Sequence, residues 1–112
     1  MNDITVKKEK VIKEFRNELK EKVIVDRKKY DIPFFKILNE LYVFHPREMK
    51  CHISRFNSLT FSIIIHRTYI YIEWSEKFTL LSITDDEFEN DGIYNTTLDE
   101  ALEIVKKIWR KI

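Results

Sequence analysis

The chain has 112 residues, of which 35% are charged and 44% hydrophobic, and its net charge is +1. That is the balance of one soluble globular domain, residues 1–112, with a single core, and no run approaches the ~20 apolar residues that cross a bilayer. One glycine, Gly92, excludes phosphate-cradling loops, which need several glycines close together.

Asn2 or Asp3 is placed to cap a first helix. Val11, Ile12, Phe15, Leu19 and Val23 recur at helical spacing with Lys, Arg and Glu between them, so the spacing predicts a helix to about Arg27. Tyr30-Asp31-Ile32-Pro33 breaks that pattern. A second helix starts near Asp31, with Pro33 in the first turn, where its missing N–H costs nothing. Phe34, Leu38, Leu41 and Tyr42 form its stripe, Phe35 and Ile37 broaden it, and His45-Pro46 ends it.

Lys50 to Phe56 reads as a first strand with Cys51 and Ile53 inward. Leu59 to Ile83 is the most apolar part of the chain and divides into three strands. Leu59, Phe61, Ile63 and Ile65 alternate with Thr60, Ser62 and His66, with Ile64 as the exception; Ile70, Ile72 and Trp74 alternate with Tyr69, Tyr71 and Glu73. The third strand, Phe78 to Ile83, is apolar on both sides and shows no facing. His66-Arg67-Thr68 and Ser75-Glu76-Lys77 fit three-residue hairpin loops. Thr84 to Gly92, TDDEFENDG, is too polar for a core and reads as an exposed loop. Thr97-Leu98-Asp99-Glu100 is a capping-box pattern opening a last helix, with Leu98, Ala101, Leu102, Val105, Ile108, Trp109 and Ile112 on one stripe. The expected architecture is α+β: two N-terminal helices, an antiparallel meander sheet of three to four strands, and a C-terminal helix packed on the sheet.

Chemistry-bearing patterns are sparse. Placed on an EF-hand loop, Glu87, Glu89 and Asp91 occupy positions one, three and five, but Leu98 falls where a bidentate Glu is required. His45, Glu48, Cys51 and His52, with His66 further on, lack zinc spacing, and neighbours on a strand point to opposite faces. Glu48-Met49-Lys50 is an E-x-K that needs an upstream Asp on the same sheet, for which only Asp31 is available. Nothing around Cys51 suggests an activated thiol, and no nucleophile elbow occurs. No metal, cofactor or enzymatic activity is therefore expected.

Surface features point instead to binding. Asp85, Asp86, Glu87, Glu89 and Asp91 surround Phe88, a carboxylate cluster that can occupy a basic groove on a partner. Tyr69 and Tyr71 share the outer sheet face, which meets water if all the helices lie on the other side. Residues 1–55 hold fourteen basic against nine acidic residues, and residues 56–112 hold six against ten. That polarity suits charge-steered association. The single cysteine and the polar start, MNDITVKKEK, fit a reducing, cytoplasmic setting. One Gly, one Ala and abundant Ile and Lys are the coding bias of an AT-rich genome such as that of a low-GC bacterium or its phages. The expected function is non-enzymatic protein binding, as a phage or mobile-element inhibitor of a bacterial defence system or a toxin-neutralising immunity protein. The partner would be a nuclease, a toxin or a defence complex. The alternative is a nucleic-acid-binding regulator using the basic N-terminal helix. A homodimer through the Phe78–Ile83 edge is a further expectation.

Overall fold

The structure, a computed structural model, describes residues 5–22, 28–85 and 92–110. Helix α1 spans Lys8–Glu21, a 3₁₀ turn covers Lys28–Tyr30, and α2 spans Asp31–Tyr42. Strands β1 (Glu48–Ile53), β2 (Leu59–Ile65), β3 (Thr68–Trp74), β4 (Thr79–Asp85) and β5 (Gly92–Thr96) follow, then α3 (Leu98–Arg110). The five strands pair in sequence order, each antiparallel to the last, so the sheet is a meander in an α+β fold.

Register fixes the two faces. Cys51, Phe61, Ile72 and Leu81 lie in one cross-strand row, and Met49, Ile63, Ile70 and Ile83 in the next; all eight are buried. Val11 and Phe15 of α1, Phe34, Ile37, Leu38 and Leu41 of α2, and Ala101, Leu102 and Val105 of α3 bury against these rows. At the centre the Phe34 ring stacks on Phe15 at 3.9 Å and on Phe61 at 5.6 Å. The helices thus form one layer on one face. Lys36 of α2 pairs with Asp99 of α3, and Lys106 of α3 with Glu40 of α2, tying two of the helices together. The hydrogen bond to Asp99 is the main cause of the raised Lys36 pKa. Among the described residues no helix is long and apolar enough to cross a membrane.

Several boundaries depart from the sequence reading. The chain leaves helical backbone at Lys22, just before the β-branched run Val23-Ile24-Val25, a poor continuation for a helix. Asn2, Asp3 and Val23 lie outside the described residues, and Lys7 takes the N-cap position of α1 without a side-chain cap. The first strand is Glu48–Ile53 rather than Lys50–Phe56, because Ser54 begins a turn held by its own hydroxyl. The β2–β3 loop has two residues, since Ile65 pairs directly with Thr68, and His66 sits in that loop rather than on the sheet. The β3–β4 loop has four, Ser75 to Phe78. A fifth strand, too short for its alternation to stand out, pairs outside β4. The Phe78–Ile83 stretch therefore lies inside the sheet and offers no edge for a two-fold pairing. β4 does face: Thr79, Leu81, Ile83 and Asp85 are buried. At α3 the Glu100 N–H donates to the Thr97 hydroxyl at 3.2 Å as the capping box requires, while the Glu100 carboxylate accepts from the Thr96 hydroxyl. The Trp109 side chain and Ile112 lie outside what is described.

Candidate functional site

The outer sheet face carries Glu48, Lys50 and His52 from β1, Thr60, Ser62 and Ile64 from β2, Tyr69, Tyr71 and Glu73 from β3, and Leu80, Ser82 and Thr84 from β4. No described helix lies over it. β-Branched and aromatic residues build this face as they build the inner one, because both suit a pleated surface, but here they alternate with hydroxyls and charges. Tyr69 is 49% exposed and stands opposite Ile64 on β2 and Thr84 on β4. Tyr71 is half-buried between Ser62 and Ser82 and donates its hydroxyl hydrogen to Glu73 at 3.0 Å. Burial, with that hydrogen bond and the Glu73 charge, pushes the Tyr71 phenol up to about 12. A depression of 230 Å³ opens among Glu48, Ile64, Tyr69 and Tyr71. Such a patch, apolar at its centre with a few placed polar groups, has the chemistry of a protein contact surface.

The other candidates are dispersed. Asp85, expected in an exposed loop, ends β4 and is 3% exposed: pairing with Thr68 carries the strand two residues beyond the apolar run and turns this carboxylate toward the helix side. Asp86, Glu87, Phe88, Glu89 and Asp91 lie outside the described residues. His45, His52 and His66 are exposed at three separate places, and among the described residues no three His, Cys, Asp or Glu side chains gather where one ion could be held. Glu48 and Lys50 pair with each other at 3.3 Å on the outer face, whereas Asp31 opens α2 in the helix layer. Cys51 is buried facing the helices; that burial, reinforced by the Glu18 and Glu14 carboxylates, pushes its thiol pKa far above the ordinary range and opposes the thiolate that nucleophilic chemistry needs.

Those two glutamates have a role that no sequence pattern signals. On α1, beside the β1 edge, Glu14 accepts the Cys51 N–H at 3.4 Å and Glu18 accepts the Ile53 N–H at 3.3 Å. Glu18 also pairs with His52 Nδ1. Four residues of helix rise about 6 Å and two residues of strand about 6.7 Å, so carboxylates four apart on α1 meet alternate amides on β1.

No protein-family model, curated protein or solved structure matches the chain.

Proposed function

We propose that the protein acts without catalysis, by presenting the outer sheet face to a protein partner. The reading extends to an inhibitor of a bacterial defence system, carried by a phage or mobile element, or a toxin-neutralising immunity protein, working in the cytoplasm. The observation that supports it is the one-sided helix layer, which leaves Tyr69, Tyr71, Ile64 and Leu80 uncovered on the opposite face. Tyrosines lose little conformational freedom on binding and supply large contact areas with a polar tip. The source-linked part rests on coding bias alone, and the carboxylate segment 86–91 remains a second contact region within the same proposal.

The test is quantitative capture of proteins from a low-GC bacterial lysate by the tagged chain and two variants. One variant is Tyr69→Ala/Tyr71→Ala; the other reverses the charges of Asp86, Glu87, Glu89 and Asp91. A partner retained by the wild type and reduced at least about tenfold by the tyrosine pair is expected, in line with the loss of two interface anchors. Equal retention by wild type and tyrosine variant rules the face out.

One observation favours the nucleic-acid alternative. Lys13, Arg16 and Lys20 are exposed along the outward side of α1, while Glu14 and Glu18 turn toward β1. A salt titration with duplex DNA and RNA separates the readings, since each phosphate contact contributes a slope of about −0.9 in log K against log salt for B-DNA.

A further inference from the structure

We propose that the outward groove of α1 docks the carboxylate segment 86–91 of a second copy of this chain, so that copies associate head to tail. The inference is independent of the outer sheet face and gives the basic side of α1 an occupant other than nucleic acid.

Glu9, Ile12, Lys13, Arg16, Asn17 and Lys20 recur three or four residues apart along α1, so they share one helix face, and they line a groove of 380 Å³. Lys13, Arg16 and Lys20 are exposed there. Among the described residues none of the three pairs with a carboxylate. The helix's own Glu14 and Glu18 are used elsewhere, turned to the β1 edge where they accept the Cys51 and Ile53 amides. Glu9 is the one carboxylate of the lining, so the groove holds three cations against one anion. An excess of that sign takes an anionic occupant. Ile12 is half-buried between them and offers an apolar contact inside the basic rim.

The chain itself carries the matching piece. Asp86-Glu87-Phe88-Glu89-Asn90-Asp91 sets four carboxylates around one phenyl ring. Phe88 supplies the apolar group that suits Ile12, and the carboxylates suit the three cations. A phosphate backbone has no such apolar group, and Glu9 opposes its dense charge. The segment of the same molecule falls short of the groove. It leaves the sheet at Asp85 and returns at Gly92. A loop of that length extends at most about 12 Å from its ends. β4 and β1 are three strand spacings apart, about 14 Å. The cations lie further still, on the side of α1 turned away from β1. The groove of one copy and the segment of the next therefore form a heterologous contact. The charge layout of the whole chain favours it: residues 1–55 hold fourteen basic against nine acidic residues and residues 56–112 six against ten, so head-to-tail contact brings unlike halves together.

The test is sedimentation velocity at rising concentration in low salt. It compares the wild type with Lys13→Glu/Arg16→Glu/Lys20→Glu, with Asp86→Lys/Glu87→Lys/Glu89→Lys/Asp91→Lys, and with a chain carrying both sets of changes. The wild type is expected to associate, and to return to the monomer in about 0.5 M salt, where charges are screened beyond about 4 Å. Each reversal alone gives a monomer, because groove and segment then carry the same sign. The chain with both sets associates again, because the two signs are exchanged. A labelled peptide of residues 84–93, followed by fluorescence anisotropy, binds the wild type and binds the groove variant at least about tenfold more weakly; Phe88→Ala in the peptide weakens it several-fold. The three substituted α1 side chains are exposed, and circular dichroism checks that every variant keeps the fold. A wild type that stays monomeric at millimolar concentration in low salt, association that survives either reversal, or a doubly reversed chain that stays monomeric overturns the inference. So does a duplex oligonucleotide that binds the same three cations more tightly than the peptide. Tyr69→Ala/Tyr71→Ala leaves self-association unchanged, so the outer face and the α1 groove fail separately: lysate capture that ignores the tyrosine pair removes the first, and association that ignores the charge reversals removes the second.

Discussion

Tyr71 shows how one residue couples the outer face to pH. An unfolded chain releases the phenol proton near 10.0, whereas the folded chain holds it to about 12. Between those values the unfolded state binds fewer protons, so stability falls as pH rises through that window and is unaffected by this group below it. An absorbance titration of the five tyrosines is expected to show a late ionisation that Tyr71→Phe removes and Glu73→Gln moves back toward the ordinary value. A late step that survives Tyr71→Phe would belong to another residue. Elsewhere the chain turns corners with side chains that are not glycine: His45, Asn57 and His66 take left-handed backbone at φ 57°, 62° and 54°. Histidine and asparagine tolerate that region better than most residues, which suits a sequence so poor in glycine. The sequence signals for turns rest on Gly and Pro, so the loop lengths were the least legible part of the chain.

At the scale of elements, α1 does two jobs with two of its faces. Val11 and Phe15 enter the core, and Glu14 and Glu18 close the β1 edge. Unpaired edge amides invite strand addition from other molecules, and native sheets cover them. Glu14→Ala/Glu18→Ala is expected to cost about 1–2 kcal/mol by freeing the Cys51 and Ile53 amides, and to raise self-association in light scattering. Glu14→Gln/Glu18→Gln keeps an oxygen acceptor and should recover much of both. An alanine variant that melts like the wild type and stays as monodisperse would remove this role. The sequence showed the helix and its apolar stripe through periodicity, and it showed α2, β2, β3 and α3 for the same reason. It did not show what the glutamates do, since a mixed-charge helix reads as a solvated surface until the neighbouring strand is in place. β5 escaped because Gly92-Ile93-Tyr94-Asn95-Thr96 is short and follows a run of carboxylates.

For the molecule as a whole, the α+β class and the meander order followed from period-two and period-3.6 patterns, which report faces but not which face is covered. Tyr69, Tyr71 and Glu73 were legible as one side of β3; that no described helix covers this side depends on α1, α2 and α3 all choosing the other, a three-body packing outcome no single segment encodes. Asp85 illustrates the converse. Its acidic surroundings in sequence suggested water, and the ladder from Thr68 set it among buried residues.

A sheet whose described helices all lie on one side divides its substitutions into two classes that alternate along the strands. Changes at Phe61, Ile63, Ile70, Ile72 or Leu81 disturb the core that the three helices cover, whereas Ser62, Tyr69 and Thr84 lie on the face opposite the described helices. Substitutions on the exterior can therefore change what this surface would contact, step by step, without refolding the scaffold beneath it.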